Sequence, residues 1–240
     1  MQNHNPLISV IVPVYNGEAY LSEALESILS QTYQPLDIIV IDDGSTDNSR
    51  DIAESFIPHL RYYYQPNAGV GSAMSAGVTY AKWEYLAFLD ADDLWMPDKL
   101  TLQMTVFMQN PGLGAVFTKI EQFYSSDIRP EYRQKYFYTE KIVDGYCVDT
   151  LLVKKEAYDA VGSFDPIRKT GTFIEWYTRA MDIDLPVKVI PIVTAKRRIH
   201  NSNMGIWNIA NQRKGYTRIL KSVLDRRRAK GAAEAEKGQS

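Results

Sequence analysis

Asp90-Ala91-Asp92-Asp93 packs three carboxylates into four residues, directly after the apolar run Leu86-Ala87-Phe88-Leu89. Carboxylates crowded at the end of a buried strand repel one another unless something compensates. A divalent cation is one such compensation. A hard ion such as Mn2+ or Mg2+ takes oxygen ligands together with the phosphates of a substrate. Held there, it would neutralise a diphosphate and stabilise it as a leaving group. A plainer reading stands beside this one: acids in a surface turn that cap the helix opening near Met96-Pro97. An EF-hand fits poorly, because the loop position that requires Gly holds Trp95.

Asp42-Asp43-Gly44-Ser45 is a second acidic turn, again after an apolar run. It offers a carboxylate to a base or a ribose, or serves only to reverse the chain. The first apolar run is followed by Pro13-Val14-Tyr15-Asn16-Gly17, where a dinucleotide-binding fold would carry G-x-G-x-x-G, and no Walker phosphate loop is present. Both absences argue against a dinucleotide cofactor or a P-loop enzyme.

These turns need elements to hold them. Leu7–Val12 is continuous and β-branched, the pattern of a strand buried on both faces. Glu18–Gln31 places Tyr20, Leu21, Ala24, Leu25, Ile28 and Leu29 on one helical face. Leu36–Ile41, Leu60–Tyr64, Tyr85–Leu89 and Gly114–Thr118 read as further strands, and Gly69–Tyr80 as a helix of small residues. Strands separated by helices predict a mainly parallel α/β sheet, with ligands bound beyond the carboxyl ends of the strands. Pro13–Gly17, Asp42–Ser45 and Asp90–Asp93 should then converge on one crevice. Gly145–Val153 is expected to be a strand returning toward it, and Val187–Val193 another.

The chain has 240 residues, of which 45% are hydrophobic, enough for one large domain or a domain with an added lobe. No apolar run approaches the roughly 20 residues of a membrane span. Met1–Pro6 lacks the pattern of a secretory signal, and Cys147 is the single cysteine, so a cytoplasmic location is expected. Residues 196–230 hold eleven Lys or Arg against one acid, beside an acidic body. Such a basic lobe suits a phosphate, an anionic membrane or nucleic acid, or is a solvated helix face. Nucleic acid would leave the two Asp turns unexplained and ranks last. Ile206–Lys230 combines Trp207, Ile209, Tyr216, Ile219, Leu220 and Val223 with many basic residues. Its apolar side is expected on the body of the protein, on a second subunit, or at a membrane surface, which would make the protein peripheral to the inner face of the membrane. Phe123–Tyr138, with its four tyrosines, is read as a substrate lid or acceptor platform, or as an ordinary surface excursion, and the tail after 230 as disordered.

The segments from Ser9 to Leu100, SVIVPVYNGEAYL, IIVIDDGSTDNS, NAGVGSAMSAG and LAFLDADDLWMPDKL, closely resemble the family 2 glycosyltransferases in order and spacing, and the likeness continues more weakly through Leu151–Phe164 to His200. The resemblance implies the glycosyltransferase A fold. Residues 1–118 would be the nucleotide-sugar-binding half, 119–205 the acceptor-binding and catalytic half, 206–230 a basic C-terminal helical extension and 231–240 the tail. It also implies an inverting, metal-dependent transfer of a sugar from a nucleoside diphosphate, usually UDP, to a saccharide or lipid-linked acceptor. Pro13, Tyr15 and Glu18 match positions lining the nucleoside pocket, Asp43 the carboxylate that contacts the base, and Asn67 to Gly71 a segment flanking the nucleotide. Asp90, Ala91 and Asp92 match the metal and ribose motif, with Asp92 the best metal ligand. Many members carry a catalytic Asp six residues before the Arg that Arg179 matches. Here that position is Phe173, which cannot accept a proton. Glu175, two residues on, is the substitute candidate for the base, although its spacing from Arg179 also suits a helix ion pair. His200 matches a metal or phosphate ligand, and Arg197 or Arg198 a phosphate contact. Two rivals remain: a nucleotide-sugar-binding protein with weak or no transferase activity because of Phe173, and a nucleotidyltransferase or phosphatase built on the Asp-rich strand ends.

Overall fold

The computed structural model describes residues 5–129, 131, 142–168, 171–203, 217, 219–226 and 228. Its first half alternates strand and helix: β1 (Ile8–Val14), α1 (Leu21–Leu29), β2 (Leu36–Asp42), α2 (Ser49–Ser55), β3 (Leu60–Tyr64), α3 (Val70–Tyr80) and β4 (Tyr85–Phe88). A short strand β5 (Leu94–Trp95) and helix α4 (Lys99–Gln109) follow. The second half contains β6 (Ala115–Tyr124), β7 (Ile142–Asp144), a single 3-10 turn (Val148–Thr150), β8 (Leu152–Lys154), α5 (Lys155–Val161), α6 (Thr172–Asp182) and β9 (Val187–Ile199).

One sheet runs in the order β3-β2-β1-β4-β8-β6-β9-β5, with β7 paired to β6. The first four strands are all parallel, as their alternation with helices predicts. Beyond β4 the sheet is mixed: β8 lies antiparallel between β4 and β6, β9 is parallel to β6, and β5 is antiparallel to β9. Gly145–Val153 is therefore not one strand. The 3-10 turn occupies its middle and only its end pairs in the sheet, because Thr150 Oγ1 bonds back to the carbonyls of Gly145 and Cys147 and closes the loop on itself. The strand expected at Val187–Val193 extends to Ile199, so Arg197 and Arg198 are strand residues.

β1 is buried along its whole length, and its alternation divides the core. Ile8, Val10, Val12 and Val14 pack with Leu21, Leu25 and Ile28 of α1 and with Leu100, Met104 and Phe107 of α4. Ile11 faces the other side, among Met74 of α3, Phe88, Phe117, Tyr158 of α5 and Trp176 of α6. Each fully buried aliphatic side chain contributes about 1.5–3 kcal/mol relative to exposure, so a polar residue in this strand needs a partner. Ser9, the polar side chain of β1, has one in Asp37 Oδ2 (3.0 Å).

The described residues between 217 and 228 are helical. Ile219 is buried, and Arg226 bonds to Asp182 and to Thr178 of α6, so this piece packs on the body, while Leu220 and Leu224 remain exposed. Trp207, Ile209 and Tyr216 lie outside the described residues, as do the tail and half of the tyrosine-rich segment, with Tyr132, Tyr136 and Tyr138. No helix among the described residues is long and apolar enough to cross a membrane.

Candidate active site

The three polar turns converge as the parallel sheet requires. The Asp43 amide donates to the Val14 carbonyl (2.8 Å), and the Leu89 amide donates to the Ile11 carbonyl (3.1 Å). A Cβ built on Gly17 would stand 3.5 Å from that of Ala91, so the first and third turns touch. Pro13 is buried in β1, and Tyr15 is half-exposed at the mouth.

Hydrogen bonds tie the first turn to the second. Asn16 accepts the Thr46 amide (2.8 Å), Ser49 Oγ accepts the Gly17 amide (2.8 Å), and Glu18 accepts both the backbone and side-chain amides of Asn48 (3.1 and 2.9 Å). Asp42 is buried and accepts from the Ser45 amide and the Tyr62 hydroxyl, each at 2.7 Å. Asp43 accepts from Gln65 Nε2 (2.7 Å) and from the Ala68 and Gly69 amides (2.9 and 2.8 Å). Three donors on two oxygens pin the 65–69 segment to the end of β2. Gly44 makes this approach possible: its φ is +82°, and a Cβ there would meet the Asn67 nitrogen at 2.7 Å. Asn67 itself is exposed at the rim. Gly71 has a packing reason of its own, since a Cβ would stand 2.5 Å from the Asp165 carbonyl oxygen.

Asp90, Asp92 and Asp93 bring one oxygen each within 4.8 Å of one another, a donor set of the hard-oxygen type that suits Mn2+ or Mg2+. The three are not equivalent. Asp93 is buried and accepts the Arg198 amide on Oδ1 (2.8 Å). Burial, together with Asp149 and Asp92, pushes the Asp90 and Asp93 carboxyls well above the usual carboxylate range. Asp92 is the more open: its Oδ2 is paired with His200 Nε2 (2.9 Å) and Asn203 Nδ2 (3.1 Å). His200 Nδ1 accepts the Ser202 amide (3.3 Å), a network that assigns the ring proton to Nε2 and makes His200 a donor to Asp92. The second oxygen of Asp92 has no partner among the described residues and could take a ligand.

Arg198 is buried, donates to the Asp92 carbonyl (3.0 Å) and to Glu23 Oε2 (2.7 Å), and lies between the rings of Tyr20 and Phe123 at 4.6 and 4.9 Å. Its guanidinium is committed to supporting the acidic turn. Arg197 alternates to the opposite side of β9 and is exposed. Although desolvation opposes it, the field of Asp93, Asp149 and Asp90 raises the Arg197 pKa.

The acceptor-side helix looks different. Glu175 is buried, and both its oxygens accept from Arg179 (3.0–3.2 Å), with Arg226 Nη1 a further 4.0 Å away. Arg179 continues to the carbonyls of Val161 and Ser163 (2.6 and 2.7 Å), so this ion pair locks α6 onto the end of α5. Phe173 stacks parallel to Tyr177 (6.1 Å) and edge-on to Phe117, while half-exposed Tyr146 packs on Tyr177 (5.2 Å).

Sequence reasoning missed Asp149, whose Oδ1 accepts the Asp90 amide (3.0 Å), and Lys99 with Gln103, both fully buried behind the turn. A signal for the last two existed. They fall on the i, i+4 row that continues to Phe107, and so on the buried stripe of α4. Asp149 had none, because its place depends on a loop closing across the sheet.

The family model described as "Glycosyl transferase family 2" matches residues 9–179. An uncharacterised glycosyltransferase from Rickettsia typhi is 44% identical over 103 residues, covering 43% of this chain and 32% of that protein. Chondroitin synthase from Pasteurella multocida is 28% identical over 241 residues, covering 93% of this chain and 24% of the synthase. The chain thus spans about a third or less of these relatives. Among solved structures, S. aureus TarS 1-349 in complex with UDP-GlcNAc has a TM-score of 0.64 at 22% identity, covering 82% of this chain and 59% of that one. A mannosyltransferase from Pyrobaculum calidifontis in complex with GDP-Man and Mn2+ has a TM-score of 0.63 at 22% identity, covering 87% and 61%. These two likenesses speak for the fold. With its acidic turns convergent at the strand ends and the family match running from residue 9 to 179, the chain belongs to glycosyl transferase family 2.

Proposed function

We propose that this chain transfers a sugar from a nucleoside diphosphate sugar, with UDP-sugars first among donors, to an acceptor hydroxyl with inversion at the sugar's anomeric carbon. The observation that carries this reading is Asp92, held on one oxygen by His200 and Asn203 and open on the other, at the meeting point of the three strand-end turns. The nucleoside would lie against Pro13, Tyr15, the Asp43-held loop and Asn67, with Glu18 and Gly71 shaping the walls from behind. Asp92 and Asp90 would hold Mn2+ or Mg2+, which supplies charge neutralisation of the diphosphate leaving group. His200 acts through Asp92 as its orienting partner. Arg197, exposed beside the acidic turn, is the cation suited to a diphosphate, and Arg198 is the support beneath it.

On the acceptor side, Glu175 is the structural partner of Arg179, and no carboxylate stands at the Phe173 position. The faces of Tyr146, Phe173 and Tyr177 offer a stacking surface for a ring of the acceptor. In the transfer, the acceptor oxygen bonds to the anomeric carbon, the bond to the diphosphate breaks, and the acceptor proton leaves to solvent, since Phe173 cannot accept it and Arg179 occupies both oxygens of Glu175. The exposed Leu220 and Leu224 among basic residues suit an anionic lipid surface, where a lipid-linked acceptor would be met.

A screen of UDP- and GDP-sugars for Mn2+-dependent thermal stabilisation tests the donor reading, since a bound ligand stabilises the folded chain by mass action. Lack of stabilisation by every nucleotide sugar would sink it. The second reading, a donor-binding chain without transfer, is favoured by Phe173 and the locked Glu175. Stabilisation by a donor with no release of free nucleoside diphosphate, across a panel of saccharide and lipid-linked acceptors, would select it.

A further inference from the structure

The Asp90–Trp95 segment presents Asp92, yet it carries little internal bonding: the Asp93 amide donates to the Asp90 carbonyl at 3.1 Å. One residue from the other half of the chain grips it at both ends. Asp149, in the 3-10 turn before β8, accepts the Asp90 amide on Oδ1 (3.0 Å), and its own carbonyl accepts Trp95 Nε1–H (2.8 Å). Asp149 is buried. A buried carboxylate beside Asp90 and Asp93 is costly unless it is bonded and a cation offsets it.

Lys99 supplies part of that offset: burial pushes the pKa of its ammonium down to about 7, and the field of Asp149 opposes the shift. Its ammonium is fully buried, lies 4.0 Å from the Trp95 ring centroid and donates to Gln103 Oε1 at 2.9 Å. Gln103 Nε2 in turn donates to the carbonyls of Val116 (2.9 Å) and Thr150 (2.7 Å). The turn bearing Asp149 is thereby anchored to α4 and β6, and Arg197 adds positive field from the exposed side. Such an arrangement exceeds what chain reversal needs. An uncharged acceptor would suffice to satisfy one amide, whereas a carboxylate makes a stronger, charge-assisted bond.

We propose that Asp149 is a positioning residue for the donor site: its carboxylate and carbonyl clamp the two ends of the Asp90–Trp95 turn and so set where Asp92 meets a metal-bound diphosphate. The proposal rests on the reading of Asp92 as the metal anchor.

The test measures UDP binding by calorimetry, with and without Mn2+, on folded Asp149→Ala, Asp149→Asn, Trp95→Phe and Asp92→Asn variants. Asp149→Ala is expected to weaken Mn2+-dependent UDP binding by about 10- to 100-fold, the usual cost of losing a partner behind a metal ligand. Metal-free UDP binding, which uses the Tyr15 and Asp43 turns, should stay unchanged. In Asp149→Asn the amide oxygen still accepts the Asp90 amide, so binding should recover to within roughly fivefold of the parent. Asn as damaging as Ala, or Ala without effect, overturns the clamp. If Asp149→Ala does not fold, Trp95→Phe releases the other end alone; a severalfold loss of Mn2+-dependent affinity supports the proposal, and unchanged affinity overturns it. Unchanged Mn2+-dependent binding in Asp92→Asn would instead overturn the donor-site reading, and the clamp with it.

Discussion

At the end of β4, Asp92 keeps 34% of its side-chain surface in solvent and has one oxygen without a partner among the described residues, whereas on α6 Glu175 keeps 9% and has both oxygens on Arg179. Each carboxylate has hydrogen-bond donors, but the donors do different things. His200 and Asn203 approach Asp92 from one side and aim it outward. Arg179 and Arg226 close around Glu175 and turn it inward, toward the junction of α5, α6 and the C-terminal helical piece. An acid held by donor side chains is thus open to a ligand only where those donors leave an oxygen free. The donor side of this chain meets that condition, and the acceptor side, at Glu175, does not.

The largest effect that would sharpen this contrast belongs to Asp92. Asp92→Asn should lower sugar transfer by at least about 100-fold, because the lost charge is needed as the leaving group departs. Initial rates at saturating donor and Mn2+ check it, and near-parent turnover would remove Asp92 from the site. Next is the aromatic face. Tyr146→Ala should raise the acceptor KM by roughly tenfold, the worth of a stacked ring, with UDP affinity unchanged. A change in UDP affinity with no change in KM would assign the ring to the donor instead.

A third effect depends on pH. Asp90 and Asp93 have folded-state pKa values above the ordinary 3.8, so above that value the folded chain holds more protons than the unfolded one. Metal-free stability therefore falls as pH rises from 3.8 toward the raised values. Mn2+ takes the deprotonated carboxylates, so its thermal shift should grow as pH rises from 3.8 through the raised range. A shift that does not change with pH there would contradict a cation on these groups. The smallest effect on catalysis is expected at Glu175. Glu175→Gln should leave turnover within roughly threefold but cost about 1–3 kcal/mol of stability by weakening the lock on α6. Denaturant melts paired with rates test this, and a large loss of rate at unchanged stability would restore Glu175 as the base.

Burial accounts for how much was readable in advance. β1 and β2 lie between two layers, so their residues must be apolar almost throughout, and the acidic turns stand out where that constraint ends. β8 is three residues long and borrows its partners from distant strands, so Gly145–Val153 carries no pattern separating turn from strand. Arg197 and Arg198 are adjacent in the chain and both basic, yet strand alternation sends one to the face where the field of Asp93 and Asp149 reaches it and the other beneath Asp92 between two rings. Composition cannot distinguish them.

By itself the sequence determined the strand and helix order of the first half, the convergence of Pro13–Gly17, Asp42–Ser45 and Asp90–Asp93, and the loss of a carboxylate at Phe173. Those follow from local periodicity and from residue identity. Only the tertiary structure decided which acids stay open, that His200 donates to Asp92, that Asp43 holds its own loop, and that Asp149 and Lys99 stand behind the site. These depend on side chains up to 111 positions apart meeting in a buried space, where the cost of an unpaired charge selects the pairing and no local pattern records it.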